Sequence, residues 1–420
     1  MSISLSLYKR ALSIAVGIFE LFPPRRVDRQ EIQLRKGIFE LSNCVPASGT
    51  IWVHGASLGE TLTLKPLMKR LNRRYGPERL LATATTTDGL KQIRRDALAG
   101  HSTLLPVELP EILDTFIDKM NPRLLLINET EIWPLLASHL ARRGIPSGII
   151  NGRINKRTVR FLNLFKKLFQ DSISALSFVF VQSQIYSKRF ESIGISEKRI
   201  KVLGSFKFDY DCEDINPESV RSKFGLSADK PVLVLGSTHS DEEKTLIEAL
   251  SSSGTISRFQ LVVVPRHLQR IEEVRNLLAG KGFQIQLSSE ISSSVIGNII
   301  LVNQQGCLKK LYSVADLAFV GGSLIPRGGH NMLEPAAFSV PVITGPHTGN
   351  FTQETSRLKE NEALITASNA GELSRIFSDF FNDREKYRIF GMRAESVLKK
   401  LAGATDRTID SLQEMSLLPR

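Results

Sequence analysis

ADLAFVGGSLIPRGGHNMLEPAAFSVPVITGP, residues 315–346, is the stretch on which the reading of this chain turns. Leu317–Val320 is a short, unbroken apolar run of the kind buried on both faces of a parallel sheet. Glycine-rich sequence follows, first Gly321-Gly322-Ser323 and then Arg327-Gly328-Gly329-His330. A helix start is expected at Asn331-Met332-Leu333-Glu334 and a second apolar strand around Val342-Ile343. Glycines let a backbone approach a ligand closely, and a helix N-terminus presents unpaired N–H groups to an anion. Asn331 and Glu334 have the spacing of a helix cap and its reciprocal partner. The same context suits a nucleotide site, with Glu334 accepting hydrogen bonds from both hydroxyls of a ribose.

Outward from this stretch, apolar strand candidates at residues 232–235, 260–264, 299–302 and 364–366 complete one series. An earlier series lies at residues 51–53, 80–83, 124–127, 148–150 and 178–181. Amphipathic stretches long enough for helices, such as 64–75, 92–98 and 135–143, separate the earlier strands. Alternation of this kind predicts parallel, doubly wound sheets with ligands at the carboxyl ends of the strands. Residues 204–227, GSFKFDYDCEDINPESVRSKFGLS, are polar and turn-rich and read as the joint between two domains. At 420 residues the chain exceeds one ordinary core. The expected fold is therefore α/β: two Rossmann-like domains, at 29–208 and 209–420, facing across a cleft. The helical pattern at 384–401 can cross back to the first domain.

Hydrophobic content of 42% and charged content of 23% are those of a folded globular protein. Three cysteines, Cys44, Cys212 and Cys307, are too far apart for a metal-ligand spacing and fit a reducing compartment. The seven histidines are scattered singly, so spacing argues for no zinc or iron site. A net charge of +12 implies an anionic partner, whether nucleic acid, acidic membrane or a phosphorylated substrate. Residues 1–28 form an N-terminal segment with an apolar run from Ala11 to Phe22, interrupted by Glu20 and followed by Pro23-Pro24-Arg25-Arg26. The run is shorter than the about 20 residues of a spanning helix and has no signal-peptide cleavage pattern. Flanked by Lys9, Arg10, Arg25 and Arg26, it suits either a segment dipping into an anionic leaflet or an ordinary packed helix.

Acids and bases recur at the predicted strand ends. The strand at 51–53 runs into His54-Gly55-Ala56-Ser57-Leu58-Gly59-Glu60, placing Glu60 in the first turn of a helix. It serves there as a plain helix-start acid or as a general base, kept ionised at neutral pH by the helix dipole. The strand at 124–127 runs into Asn128-Glu129-Thr130-Glu131-Ile132-Trp133-Pro134, where one carboxylate is expected to serve the site and the other to cap. Residues 151–170 carry Arg153, Lys156, Arg157, Arg160, Lys166 and Lys167 with no acid, beside Phe161, Leu164, Phe165 and Leu168 at helical spacing. That pattern is either a solvated basic face on a packed helix or a surface for a phosphorylated amphiphile or anionic bilayer. Nucleic acid is not favoured, because no aromatic stacking platform accompanies the basic run. Ser237-Thr238-His239, Pro265-Arg266-His267 and Lys207 add polar groups at the second-domain strand ends and the joint, suited to a nucleotide phosphate.

Taken together, HGASLGE (54–60), NETEIWP (128–134), NGRI (151–154), GSFKFD (204–209), GSTHSDEE (236–243), VPRH (264–267) and the 315–346 stretch resemble the 3-deoxy-D-manno-octulosonic acid (Kdo) transferases. The last stretch alone resembles many GT-B glycosyltransferases. The resemblance implies an inverting transfer of Kdo from CMP-Kdo to a glucosamine hydroxyl of a lipid A precursor, and possible addition of further Kdo. It implies lipopolysaccharide biosynthesis at the cytoplasmic face of the bacterial inner membrane. Glu60 is the implied base, with Glu129 and Lys207 as helpers of the transition state. Pro265, Arg266, Gln305, Gly306, Cys307, Asn331, Met332, Leu333 and Glu334 would line the CMP site. Ser57, Arg153, Ser237, Thr238 and His239 are candidates for acceptor or phosphate contacts. No cofactor is implied, and no diphosphate-chelating metal is expected for a monophosphate leaving group. The chain departs from the family at Cys307, where an acidic residue is common, and at Pro326. The alternatives are a UDP-sugar-dependent GT-B transferase or epimerase, and a non-enzymatic nucleic-acid or membrane-surface binder.

Overall fold

The computed structural model describes residues 3–21, 29–38, 49–210, 215–291 and 299–418. Phe22, the Pro23–Arg26 run, Cys44, Cys212 and the centre of the predicted joint lie outside these residues. Two units emerge, the first comprising Met1–Asp209 with Leu401–Arg420 and the second Tyr210–Lys400.

Unit 1 holds seven parallel strands: β1 (Thr50–His54), β2 (Leu80–Ala84), β3 (His101–Leu104), β4 (Pro122–Asn128), β5 (Ser147–Gly152), β6 (Phe178–Val181) and β7 (Ile200–Val202), in the order β3-β2-β1-β4-β5-β6-β7. In the register Trp52 sits beside Leu81 on one side and Leu125 on the other. Side chains alternate between faces, so Trp52, Leu81 and Leu125 enter one core with Phe116 and Phe190, while Ile51, Val53, Leu80 and Leu124 enter the other. The helix Leu58–Tyr75 covers that second face through Leu64, Leu67 and Leu71, together with Ile409 and Leu412 of the helix Ala404–Glu414. Asp209 caps this C-terminal helix, accepting from the N–H groups of Gly403, Ala404 and Thr405.

Unit 2 is also seven-stranded and parallel: β8 (Val232–Thr238), β9 (Gln260–Pro265), β10 (Ile285–Leu287), β11 (Ile299–Leu301), β12 (Leu317–Val320), β13 (Val342–Thr344) and β14 (Ile365–Thr366), in the order β10-β11-β9-β8-β12-β13-β14. Leu233, Leu235, Phe319 and Ile343 pack on one face with Phe259, Phe377 and Phe380, and Val232, Val234 and Ala318 on the other with Leu311 and Tyr312. Three strands, β3, β7 and β10, extend the predicted set, and each is an edge strand. An edge has one neighbour and a shorter, more polar sequence, so His101-Ser102-Thr103-Leu104 carries no continuous apolar run.

Chain order reverses between β1 and β4 in unit 1 and between β8 and β12 in unit 2. At such a switch point the loops leave the sheet in opposite directions and open a crevice at the carboxyl ends of the strands.

The N-terminal helix Ile3–Leu21 docks on unit 1 through its first half. Leu5 is buried, Tyr8 donates to Glu108 at 2.7 Å, Lys9 pairs with Glu111 at 2.9 Å, and Ser4 reaches the Lys167 carbonyl at 3.3 Å. Leu7, Ile14 and Ile18 remain exposed. Among the described residues no helix is long and apolar enough to cross a membrane. The basic stretch forms two helices, Lys156–Leu164 and Lys166–Ala175. Leu162, Phe169 and Ile173 pack inward, whereas Phe161, Leu164 and Phe165 face solvent. The packed-helix reading therefore does not account for this apolar stripe.

Candidate active site

In unit 1 the loops after β1 and β4 bring the acidic motifs together. Ser57 is the N-cap of the helix Leu58–Tyr75, and its hydroxyl accepts from the Glu60 N–H at 3.4 Å. Glu60 folds back over the turn, taking the Ala56 N–H at 2.9 Å on one oxygen and the Ser57 hydroxyl at 3.4 Å on the other. Ser57 caps the helix and Glu60 reaches back one residue beyond the cap, to the Ala56 N–H, yet each carboxylate oxygen keeps a second lone pair for a ligand. Burial pushes the Glu60 carboxyl up to about 7, and the charges of Glu129 and Glu131 add to the rise against the pull of the Ala56 N–H. The helix dipole therefore does not keep Glu60 fully ionised at neutral pH, as the sequence reading expected; desolvation and two neighbouring carboxylates outweigh it.

Glu129 is held in a left-handed backbone conformation, φ 60°, and pairs with Arg153 at 2.7 Å. Neither Glu129 nor Glu131 caps the helix Leu136–Arg142. Glu131 takes the Trp133 indole N–H at 3.0 Å and lies 3.5 Å from the buried His54 ring. The cap comes from Glu108, which accepts from the N–H groups of Leu135 and Leu136 at 2.8 and 2.9 Å.

Two buried amides, given no role by the sequence reading, tie the strand ends together. The Asn128 amide donates to the Glu60 carbonyl at 3.3 Å and to the Thr63 hydroxyl at 3.2 Å. Its own oxygen accepts from Asn151 at 3.1 Å, and the Asn151 oxygen accepts from the Phe206 N–H at 3.2 Å. Lys207 follows Phe206 in a single turn capped by Ser205. Glu60, Glu129, Arg153 and Lys207 thus rest on one hydrogen-bonded frame within unit 1. The signal in the sequence was the asparagine that ends β4 and its counterpart in β5, Asn128 and Asn151, both buried.

In unit 2 the glycine loop does not leave all its N–H groups open to an anion. Glu242, fully buried, accepts from Gly322 and His239 on one oxygen, at 2.7 and 3.0 Å, and from Ser323 and Leu324 on the other, both at 3.0 Å. An internal carboxylate fills the cradle. Glycines are required there by contact: a side chain at Gly321 would strike the Ser237 carbonyl, and Gly322, at φ 69°, lies against the His330 ring.

The predicted helix start is a single turn, Leu333–Ala336. Asn331 accepts from the Leu333 N–H at 3.1 Å and donates to Glu334 at 3.3 Å. Burial raises the Glu334 carboxyl, with Asn331, Lys309 and Arg266 opposing the rise. The Met332 and Leu333 side chains are buried in the interior, and the Cys307 thiol is nearly so. Gln305 and Gly306 are exposed ahead of the helix Leu308–Tyr312. Pro265 ends β9, and the Arg266 N–H joins the Thr238 carbonyl at 2.9 Å, so Ser237, Thr238 and His239 stand beside Arg266 at the switch point.

Residues 29–210 match the family model described as 3-deoxy-D-manno-octulosonic-acid transferase (kdotransferase). The 3-deoxy-D-manno-octulosonic acid transferase of Haemophilus influenzae is 32% identical over 407 residues, 95% of this chain and 94% of that protein. The enzyme of the same name from Bordetella pertussis is 28% identical, covering 95% of this chain and 93% of its own. A crystal structure of UDP-GlcNAc 2-epimerase from Neisseria meningitidis bound to UDP-GlcNAc has a TM-score of 0.59 at 12% identity, covering 87% of this chain and 100% of that one. At that identity the likeness is one of fold, two parallel-sheet α/β domains of the GT-B kind. Near-complete coverage at 32% identity is a likeness of family, and the chain belongs to the 3-deoxy-D-manno-octulosonic acid transferases.

Proposed function

We propose that this transferase moves Kdo from CMP-Kdo to a glucosamine hydroxyl of a lipid A precursor, in lipopolysaccharide biosynthesis, with inversion at the anomeric carbon. Glu60 takes the proton from the attacking hydroxyl as its oxygen bonds to the anomeric carbon. The bond from that carbon to the phosphate oxygen breaks, and its electron pair leaves with CMP. Glu129 and Lys207 assist the charge that develops between these events. In unit 2, Glu334 takes the ribose hydroxyls and Arg266 the phosphate, with Pro265, Gln305, Gly306, Cys307 and Asn331 to Leu333 around the nucleotide. A monophosphate leaves, whose charge a guanidinium can meet.

One observation carries this reading: at the unit 1 switch point stands a carboxylate with its pKa near 7, the value a general base needs at neutral pH. A membrane role is proposed for the N-terminal helix and its neighbour. Leu7, Ile14 and Ile18, with Phe161, Leu164 and Phe165, are exposed apolar groups beside the exposed Lys156, Arg157, Arg160, Lys166 and Lys167. Apolar side chains ringed by cations suit a peripheral seat on the anionic cytoplasmic face of the inner membrane.

The test is transfer from CMP-Kdo to a tetraacyl disaccharide bisphosphate, with the product weighed by mass spectrometry. Addition of one Kdo, or of successive Kdo units, is the expected result. Binding of UDP in clear preference to CMP, with no transfer from CMP-Kdo, would overturn it.

A further inference from the structure

Three histidines that are far apart in the chain meet at the carboxyl end of the unit 2 sheet. His239 follows β8, His267 follows β9, and His330 closes the glycine loop after β12. The Nε2 atoms of His239 and His330 are 2.8 Å apart with their rings within 11° of parallel, and the His267 ring meets His239 edge-on at 5.7 Å. Two ring nitrogens at that distance hold one proton between them. When the pair is neutral, the accepting ring carries its own proton on Nδ1. One further proton makes the pair a cation with an Nδ1–H on each ring. Among the described residues neither ring makes another hydrogen bond.

The surroundings are cationic. Arg266, Arg270 and Arg327 all act on His239, and Arg266 on His330. Arg270 is matched by Glu243 and Glu273, whereas Arg266 and Arg327 make no ion pair among the described residues. Glu242, beside the pair, spends both oxygens on backbone N–H groups. Glu334 accepts from the Asn331 amide at 3.3 Å and feels the charges of Lys309 and Arg266. The Thr238 hydroxyl, fully buried at the same strand end, has no partner among the described residues. Burial and this surplus of positive charge push His330 down to about 4 and lower His239. Two unmatched guanidinium groups disfavour a metal cation and favour an anion.

We propose that His239 and His330, with Arg327 and His267, form a carboxylate subsite for the acid group of the donor sugar. The inference rests on the CMP-Kdo reading: Kdo is itself a carboxylic acid, so its CMP ester brings two anions, a phosphate and a carboxylate. Arg266 acts both on Glu334 and on the histidine pair. That orders the donor with its ribose at Glu334, its phosphate at Arg266 and its acid group at the histidines. Carboxylate binding favours the protonated pair, so donor binding takes up a proton.

Direct titration of CMP and of CMP-Kdo at pH 6, 7 and 8 tests this, using the full chain carrying Glu60→Gln to block turnover. With all histidines present, affinity for CMP-Kdo relative to CMP should strengthen several-fold from pH 8 to pH 6. His330→Gln and His239→Gln should each weaken CMP-Kdo about tenfold and abolish that pH dependence, while CMP binding stays within about twofold. Retained CMP binding shows that unit 2 is folded. Equal losses for both ligands, or no loss for either, would overturn the subsite. Binding of neither ligand with all histidines present would overturn the donor reading itself.

Discussion

The Asn128 side chain donates to the backbone carbonyl of Glu60 at 3.3 Å, fixing the turn from which the Glu60 carboxylate projects. The bond touches neither carboxylate oxygen. It joins the ends of β1 and β4 at the switch point, and the Asn151 amide extends it to Phe206. Position and acidity of Glu60 thus have separate origins: buried amides set the first, desolvation and two neighbouring acids the second.

Only an ionised Glu60 accepts a proton, so kcat/KM is expected to rise through about pH 7 to a plateau. Glu60→Gln should lower kcat on the order of 10²–10⁴-fold and remove that limb, with CMP affinity unchanged. Stability should move with the same group. Its folded pKa lies above the ordinary value of 4.5, so Glu60 favours the folded state most below that value, and this contribution is lost as pH rises through 7. Relative to Glu60→Gln, the native protein should therefore lose stability above pH 7, as read from urea midpoints at pH 5 and pH 8. A pH–rate profile with no limb near 7 would remove Glu60 as the base.

Asn128→Ala leaves the buried Asn151 amide without its acceptor. A loss of about 1–3 kcal/mol in unfolding free energy is expected. In protein that remains folded, kcat should drop about 10–100-fold through misplacement of Glu60, with CMP affinity unaltered. Wild-type kcat in a folded Asn128→Ala protein would separate the amide frame from the reaction.

Glu242→Gln replaces one acceptor oxygen with an N–H₂ group facing backbone N–H donors. The glycine loop should loosen, and unfolding free energy should decrease by about 2–6 kcal/mol, from the two backbone donors of one oxygen left unmatched at about 1–3 kcal/mol each. Denaturant titration measures the loss, and an unchanged midpoint would show that the loop does not depend on this carboxylate.

Ile14→Glu with Ile18→Glu places charge on the exposed face of the N-terminal helix without touching Leu5 or Tyr8. Sedimentation with vesicles containing anionic lipid should show at least about tenfold weaker binding, as expected from removing two apolar anchors of roughly 1.5 kcal/mol or more each. The melting temperature should be unchanged. Undiminished vesicle binding would overturn the membrane role proposed for this helix.

Much of the fold could be read from the chain because central strands of a parallel sheet are buried on both faces, which demands unbroken apolar runs such as Leu317–Val320. Edge strands bear no such demand, and β3, β7 and β10 carry no sequence signal of that kind. Glu60, Glu129 and Arg266 are legible as candidates because each follows a strand where the chain turns into a loop or helix. Asn128 and Asn151 were not singled out, since an amide looks alike in a sequence whether it caps, contacts ligand or frames a site.

Local order along the chain determined the alternation of strands and helices, the motifs at their ends and the likeness to Kdo transferases. Tertiary packing alone decided who meets whom. It turned the Glu242 carboxylate into the glycine loop, and gathered His239, His267 and His330, which the sequence shows as isolated residues. It also set the acidity of Glu60, because solvent exclusion and nearby charge depend on distances through space that no spacing along the backbone encodes.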